Sequence, residues 1–160
     1  FNGEIYNWRE LRTELTAAGC RFKTQSDSEV LLAGWATWGE RMLGRLRGMF
    51  AFALYDQNTR ELFCARDRVG KKPFVYATGP NGFAFASDIP SLMPLAKTIG
   101  ADTGHDHGAL ATMLLHNLRH IPDPATAYRG LRRLRPGHAM IVRNGHIERV
   151  WRYWDVAADI

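Results

Sequence analysis

The run Met49–Tyr55 constrains the fold of this chain more than any other segment. Its sequence, MFAFALY, alternates Phe50, Phe52 and Leu54 with two alanines, so a β-strand here is apolar on both faces. Such a strand must be covered by protein on both sides. We therefore expect at least one further layer of structure on each face of the sheet that contains it.

Helices are expected before this strand. Each of the first two opens with a capping-box pair, Asn7 with Glu10 and Ser26 with Glu29. Glycines at 19 and 39 are placed to end these helices, and residues 40–46 can form one further short helix. The first quarter of the chain is therefore predicted to be helical.

Strands are expected after it, at 61–66, 73–77 and 83–87, separated by short turn-rich segments. Short connections leave no room for parallel crossovers, so these strands are predicted to form an antiparallel meander. A helix follows at 110–118. Residues 138–143 and 146–153 are predicted to form a hairpin, because Asn144-Gly145 suits a type I′ turn.

Together these elements predict a layered α+β domain, with two antiparallel sheets packed on each other and helices outside. The 160 residues are enough for one domain. Two segments, 97–106 and 121–137, are expected to be irregular, and the first can separate a C-terminal part from the core. Because the chain begins with Phe1 and carries no signal peptide, we expect a piece of a longer protein.

Charge and composition exclude several classes of protein. The net charge is +5, yet the densest basic cluster, residues 129–135, lacks interleaved aromatic residues, so nucleic-acid binding is not expected. No apolar run is long enough to span a membrane. Two cysteines without a CxxC motif argue against a secreted disulfide scaffold and favour the cytoplasm.

The cysteines and histidines offer weak candidates for chemistry. Cys64 lies within an apolar strand, and Cys20 follows a helix end, where the dipole opposes a thiolate, so both are expected to be structural. His105 and His107 stand beside Asp102 and Asp106 and are the best candidate metal ligands. No convincing third ligand accompanies them, so we expect solvated loop histidines and assign no metal site.

Asn2-Gly3 is a candidate anion cradle. A turn here, between a strand and a helix, brings a side-chain amide and a glycine N–H together, as in an oxyanion hole. Asn-Gly is also the commonest turn dipeptide, and from composition alone a bare turn is the better interpretation. Asp27, similarly, is either a helix-start residue favoured by the dipole or a ligand for an ammonium group.

A resemblance shifts this balance. Five motifs occur in register: FNGEIYN, SDSEV, GMFAFALYD, ARDRVGKKPFVY and FASDI, which begin at residues 1, 26, 48, 65 and 85. Together with IPDPATAYRGLRRLRPGH and RYWD near the C-terminus, they resemble the glutaminase domain of glutamine-hydrolysing asparagine synthetases, a class II glutamine amidotransferase domain. The resemblance covers nearly the whole chain.

The resemblance implies an N-terminal-nucleophile αββα sandwich with antiparallel sheets, incomplete in this fragment. In that family an N-terminal cysteine attacks glutamine, with its own α-amine as base. By resemblance, Asn2 and Gly3 form the oxyanion hole, and Asn2, Gly3, Glu4 and Asp27 bind glutamine. The nucleophilic cysteine is expected upstream of Phe1, so this fragment alone is predicted to be inactive.

The resemblance also implies the surroundings of the domain. Residues 1–160 form a partial amidotransferase domain, and 97–160 lead toward a synthetase domain that is missing here. That domain uses ATP and Mg²⁺ to amidate aspartate with the released ammonia, whereas the fragment itself needs no cofactor. Its implied partners are glutamine and this synthetase domain, and a homodimer is also considered.

Two alternatives stay open. The chain can be a non-catalytic interaction or scaffold domain of the same fold. It can also belong to a sister amidotransferase that delivers ammonia to another acceptor, such as a peptide or a surface polysaccharide. Ser28 and the segment FASDIPSLM depart from the usual motifs of the family and leave the acceptor open.

Overall fold

The computed structural model describes residues 1–158. Within that range it contains four α-helices: α1 Trp8–Ala17, α2 Asp27–Trp38, α3 Ile89–Thr98 and α4 His107–Leu115. Its strands are β1 Asn2–Ile5, β2 Gly48–Asp56, β3 Glu61–Arg66, β4 Val75–Gly79, β5 Gly82–Ala86, β6 Leu131–Arg133, β7 His138–Arg143 and β8 His146–Arg152. Short 3-10 helices cover Gly39–Gly44 and Val156–Ala158.

The strands form two antiparallel sheets. The first has the order β1-β2-β3-β7-β8 and the second the order β5-β4-β6. Helices α1 and α2 pack on the outer face of the first sheet, and α3 packs on the second. The layers are therefore helix, sheet, sheet and helix, which confirms the predicted α+β sandwich.

Strand β2 is covered on both faces, as its sequence requires. Phe50, Phe52 and Leu54 pack with the helices in the outer core, whereas Ala51 belongs to the core between the sheets. The face of β2 that carries alanines fits this core because it leaves space for Phe74, which directly precedes β4. The alternation of large and small residues in β2 thus matches a thick helical layer on one side and a close sheet on the other.

The predicted meander is wrong at one junction: β2 pairs with β3 and β4 with β5, but β3 and β4 lie in different sheets. Strand β3 pairs with β2 and β7, and the chain then leaves this sheet and begins the second one at β4. The reason lies in residues 67–74, which carry the chain between the sheets. This crossing is built around Asp67, whose side chain is fully buried.

Four backbone N–H groups converge on the carboxylate of Asp67. Oδ1 accepts from Val69 at 3.2 Å and Lys71 at 2.9 Å, and Oδ2 accepts from Lys72 at 2.9 Å and Phe50 at 3.2 Å. These bonds satisfy a charge that would otherwise be costly to bury. The crossing is therefore held to β2 of the first sheet by one side chain.

The second crossing, between β6 and β7, is tied to the same residue. The backbone carbonyl of Asp67 accepts from Gly137 N at 2.9 Å. Next to it, Arg66 is also buried; its guanidinium donates to Asp123 at 2.8 Å and to the carbonyl of Leu134 at 2.7 Å. Both passages between the sheets therefore meet at residues 66 and 67.

Two local predictions at helix starts need correction. Asn7 precedes α1 but makes no side-chain cap; its amide instead donates to Arg45 O at 3.0 Å and accepts from Arg47 N at 2.9 Å. Residues 89–98, which were not predicted to be helical, form α3 with Asp88 as its cap. The predicted hairpin at Asn144-Gly145 is confirmed, since both residues have the positive φ of a type I′ turn.

The part predicted to lead toward a synthetase domain, residues 97–160, begins in the last turn of α3. It supplies α4 and strands β6, β7 and β8, and β6 and β7 pair with strands from the first half of the chain. Its residues 159 and 160 lie outside the described range.

Candidate active site

Asn2 and Gly3 lie in β1, an edge strand of the first sheet. Asn2 pairs with Ala51 and Gly3 with Phe50. The predicted turn at this dipeptide is wrong, because both residues are paired with β2 in a strand and the chain turns only at Tyr6–Asn7. Alternation along β1 places Asn2 and Glu4 on one face, while Ile5 points into the outer core.

Gly3 is required by the close approach of β1 and β2. Its φ is +138°, and a Cβ placed on it would lie 2.0 Å from the carbonyl oxygen of Met49. Across the same pair of strands, a Cβ on Gly48 would lie 2.1 Å from the oxygen of Glu4. Neither position has room for a side chain, so the Asn-Gly sequence here reflects packing of two backbones.

The side chain of Asn2 opens onto a cavity between the two sheets. This cavity, of about 140 Å³, is also lined by Pro73, Phe74 and Phe85. The amide Nδ2 donates to the hydroxyl of Ser87 at 3.5 Å, across 85 positions of the sequence. A primary amide carries two N–H groups, so a second donor remains for a ligand in the cavity.

Ser87 was not singled out from the sequence. It follows β5 and precedes the cap of α3, so the second sheet delivers it to Asn2 on the first. Its only sequence signal is its place in the motif FASDI, which carries the resemblance but gives no role to the serine.

Asp27 lies close to β1 because of one hydrogen bond. It is the first residue of α2, directly after the cap Ser26, whose hydroxyl accepts from Ser28 N at 3.2 Å. The Oδ2 atom of Asp27 accepts from the backbone N–H of Ile5 at 3.1 Å. No described residue hydrogen-bonds to the other carboxylate oxygen, which leaves an acceptor for a cationic ligand.

A second cavity, of about 240 Å³, lies on the helical side of β2. Ser28, Leu31 and Tyr55 line it, and it shares Phe1 and Phe52 with the first cavity. Glu4 is exposed on the face of β1 that carries Asn2. Three of the four residues predicted to bind glutamine thus lie in β1, and the fourth begins α2. A cavity lies on either side of the neighbouring strand β2.

The second capping box is only half formed. Glu29 does not reach back to Ser26; its carboxylate accepts from Lys23 N at 2.7 Å, Thr24 N at 2.8 Å and the Thr24 hydroxyl at 2.6 Å. The bond from Lys23, followed by those from Thr24, lowers the pKa of Glu29. Glu29 therefore fixes the loop that leads into α2 and Asp27.

Neither cysteine is arranged as a nucleophile. Cys64 is fully buried between the sheets, and burial raises its thiol pKa. The sulfur of Cys20 lies 3.4 Å from the hydroxyl of Thr37. Among the described residues, no base is hydrogen-bonded to either thiol.

The histidine pair is not assembled with other metal-binding groups. His105 stacks on Tyr128, with ring centroids 5.4 Å apart. The carboxylate of Asp102 binds Arg129 at 2.7 Å, and that of Asp106 caps α4. Residues 1–158 bring together no group of three His, Cys, Asp or Glu side chains suited to a metal ion.

A family model described as a glutamine amidotransferase domain matches residues 1–154. The chain belongs to this glutamine amidotransferase family. The match includes all four predicted glutamine-binding residues and both sheets, so the amidotransferase domain extends over nearly everything that the structure describes.

Two curated relatives of this amidotransferase domain are named as asparagine synthetases. A "Putative asparagine synthetase [glutamine-hydrolyzing]" of Mycobacterium tuberculosis (strain ATCC 25618 / H37Rv) is 53% identical over 138 residues, which are 86% of this chain and 21% of the relative. "Asparagine synthetase [glutamine-hydrolyzing] 3" of Bacillus subtilis (strain 168) is 36% identical over 162 residues, which cover 99% of this chain and 25% of the relative. The chain thus spans a fifth to a quarter of these relatives.

A solved structure shares the fold of this amidotransferase domain. It is a glutamine phosphoribosylpyrophosphate amidotransferase from Bacillus subtilis complexed with ADP and GMP, with a TM-score of 0.65 and 20% identity. The overlap covers 96% of this chain and 28% of that one. The likeness agrees with the predicted N-terminal-nucleophile αββα sandwich.

Helices that could cross a membrane are not found among residues 1–158.

Proposed function

We propose that this chain is the glutamine-hydrolysing domain of an asparagine synthetase. The hydrogen bond between Asp27 and Ile5 is the observation that carries the proposal, because it holds an acidic side chain three residues along β1 from the amide of Asn2. The names of the two relatives support the same activity.

In the proposed reaction, a cysteine thiolate upstream of Phe1 attacks the side-chain carbonyl of glutamine. The Nδ2 donor of Asn2 and the backbone N–H of Gly3 stabilise the oxyanion, and the nitrogen leaves as ammonia after taking up a proton. Water then cleaves the thioester to glutamate and restores the thiol. Asp27 pairs with the α-ammonium group of glutamine, and Glu4 helps to hold the same end.

The ammonia would be used elsewhere in the protein. We propose that a synthetase domain in the same polypeptide binds ATP, Mg²⁺ and aspartate, activates aspartate as an acyl-adenylate and adds the ammonia. This assignment fits the relatives, of which the chain spans only part. A cytoplasmic location, which the cysteine usage favours, and a homodimer complete the proposal.

The test uses the natural polypeptide that carries this chain, with its upstream and downstream segments. Glutamine-dependent and ammonia-dependent formation of asparagine are measured in the presence of ATP and Mg²⁺. We expect both activities, and we expect Asn2→Ala to reduce only the first. Replacing aspartate with other carboxylates identifies the acceptor, and amidation of another compound in preference to aspartate would contradict the proposed enzyme.

The isolated chain provides a second arm. Residues 1–160 should release no glutamate from glutamine, because no described base is hydrogen-bonded to either of their two thiols. Glutamate release that disappears in Cys20→Ala or Cys64→Ala would place the nucleophile inside the chain and overturn the mechanism. Absence of glutamine hydrolysis in the complete polypeptide would instead favour a non-catalytic domain.

A further inference from the structure

A cavity of about 340 Å³ lies away from the candidate active site. It opens between β6, an edge strand of the second sheet, and β8, an edge strand of the first. Asn2 is in β1, at the opposite edge of the five-stranded sheet and about 19 Å away at the usual strand spacing. The cavity is lined by Tyr76, Pro124, Arg133, Leu134, Arg135, His138, Val150, Trp151 and Arg152.

The charge of this cavity is positive and only partly balanced. Arg133 lies 3.6 Å from Asp123, and Arg152 pairs with Asp155 at 2.6 Å. Arg135 is exposed, and its guanidinium binds no residue within 1–158. None of the residues that line the cavity is acidic. Arg135 therefore adds a planar cation with five N–H donors to a pocket in which Arg133 shares its acidic neighbour, Asp123, with Arg66.

Two further polar atoms that line the cavity, His138 Nε2 and the Tyr76 hydroxyl, make no hydrogen bond to a described residue, although the charges of Arg132 and Arg135 act on Tyr76. His138 donates through Nδ1 to the carbonyl of Pro136 at 2.7 Å, which fixes its ring and leaves Nε2 without a hydrogen bond. Tyr76 lines the cavity with a hydroxyl that binds no described residue. Burial raises the pKa of Tyr76, so its phenol remains a neutral O–H donor.

The remaining walls are apolar. Leu134 is buried, and Pro124 and Val150 flank it. Pockets of this size with apolar walls and a few converging polar groups are typical of small-molecule sites. A free guanidinium selects the charge of the ligand, because it forms paired hydrogen bonds with carboxylate or phosphate oxygens.

We propose that this cavity binds a small organic anion, a carboxylate or a phosphate ester, whose charged group is held by Arg135. The apolar part of the ligand lies against Leu134 and Val150, and Tyr76 and His138 supply the neighbouring polar contacts. The site is separate from the glutamine site and does not depend on the proposed function.

Benzoate and phenyl phosphate are suitable probes, because they share one ring and differ in the anionic group. Their binding to the full chain is measured by titration calorimetry without glutamine, so turnover plays no part. We expect saturable binding of at least one probe. Arg135→Ala should weaken it about tenfold or more, as expected for loss of a charge-assisted contact.

Arg41→Ala is the matched control. Arg41 is an exposed arginine on the 3-10 helix, has no described partner and does not line the cavity. It should leave binding unchanged, whereas Arg135→Lys should retain more affinity than Arg135→Ala. Neither arginine is bound within the described fold, so both alanine variants should melt like the parent.

The outcomes separate the two ligand classes. Tighter binding of benzoate indicates a carboxylate, and tighter binding of phenyl phosphate indicates a phosphate ester; each supports the site if Arg135→Ala abolishes the preference. Failure of both probes to bind at concentrations up to about 10 mM, the range of very weak affinity, would overturn the proposal. Equal loss of binding in Arg135→Ala and Arg41→Ala would do the same.

Discussion

The carboxylate of Asp27 accepts a hydrogen bond from the backbone N–H of Ile5 at 3.1 Å. This bond joins the first residue of α2 to the last residue of β1, and these residues are 22 positions apart in the sequence. It orients one carboxylate oxygen toward β1 and leaves the other available. Asp27 can therefore support the strand that carries Asn2 and bind a cation at the same time.

Asp27→Ala should affect glutamine binding more than catalysis. An ion pair with the α-ammonium group exists before the reaction and persists through it, so its loss should raise KM about tenfold or more and change kcat little. Ile5 also loses an acceptor, which should cost about 1–2 kcal/mol of unfolding free energy. Steady-state kinetics of the complete enzyme and urea unfolding measure the two effects.

Glu10→Gln is the control for Asp27→Ala, because Glu10 is exposed on α1 and has no described partner. Ammonia-dependent activity should survive in both variants. An unchanged KM for glutamine in a folded Asp27→Ala enzyme would leave Asp27 with a structural role only, at the start of α2 and as the acceptor for Ile5 N.

The contact between Asn2 and Ser87 predicts that the two residues act together. Asn2→Ala should lower glutamine-dependent kcat by about 100-fold, because a donor to the oxyanion acts mainly in the transition state. Ser87→Ala should lower kcat about three- to tenfold by releasing the amide of Asn2, whereas Ser87→Thr should keep most activity. In the Asn2→Ala background, Ser87→Ala should have no further effect.

Kinetics of the four members of this double-mutant cycle test the coupling. Independent, additive effects of Asn2→Ala and Ser87→Ala would contradict a positioning role for Ser87. Unaltered kcat in Asn2→Ala would instead remove Asn2 from the oxyanion hole.

A comparison of Gly3→Ala with Gly82→Ala distinguishes the cost of a steric clash from the cost of an unfavourable φ angle. Their φ angles, +138° and +135°, are nearly equal, but a Cβ on Gly82 would meet nothing within 4 Å, whereas one on Gly3 would collide with Met49 O. Gly3→Ala should therefore cost at least about 2 kcal/mol more than Gly82→Ala. Urea unfolding measures both, and equal losses would show that β1 can move away from β2 at little cost.

Asp67→Ala should strongly destabilise the fold, because Asp67 is a fully buried carboxylate. It removes the acceptor of four backbone N–H groups in a buried site, and we expect a loss of about 3–5 kcal/mol or failure to fold. Asp102→Ala breaks an exposed pair with Arg129 and should cost about 1 kcal/mol or less. Similar thermal unfolding of the two variants would contradict the role given to Asp67.

Stability should fall in alkaline solution. Burial raises the pKa of Cys64, Tyr76 and Tyr153, so the folded state keeps protons that the unfolded chain releases above about pH 8.5 for the thiol and pH 10 for the phenols. The unfolded state then binds fewer protons, and the unfolding free energy decreases as pH rises. Below these values the contribution is fully present.

Tyr153→Phe and Cys64→Ala should each reduce this alkaline slope in urea unfolding between pH 7 and about 10.5. Tyr153→Phe also loses the bond from its hydroxyl to Arg66 O, 2.8 Å long, so it should be less stable at neutral pH as well. Tyr6→Phe is the control, because Tyr6 is largely exposed. A slope equal to that of the parent in all three variants would contradict the assignment.

The layers of the fold follow from local sequence, whereas the order of strands does not. The two apolar faces of β2 predict a covered sheet, and Asn144-Gly145 predicts its hairpin. The partner of β4 depends on the path of residues 67–74, which the buried carboxylate of Asp67 fixes through long-range packing. Helix α3 escaped prediction because two prolines, Pro90 and Pro94, lie within it, although Asp88 provides a regular cap.

The candidate site divides in the same way. The resemblance pointed to Asn2, Gly3, Glu4 and Asp27, but composition favoured a turn at Asn2-Gly3. Only the pairing of Asn2 with Ala51 and of Gly3 with Phe50 shows that the dipeptide lies in a strand. Ser87 reaches Asn2 from the other sheet, and no local pattern connects residues 85 positions apart.

The two crossings that meet at Asp67 make the active site dependent on a junction one strand away, because Asp67 binds Phe50 and Phe50 pairs with Gly3. Asn2 comes from one sheet and Ser87 from the other, so their separation is set by how the sheets are fastened together. Residues 66 and 67 make this connection. The Asp67 carboxylate accepts from Phe50 N, the Arg66 guanidinium donates to Asp123, and the Asp67 carbonyl accepts from Gly137 N. Substitutions in the outer helices can therefore be tolerated without a change in the distance between Asn2 and Ser87. A small shift at residues 66 and 67 would increase that distance.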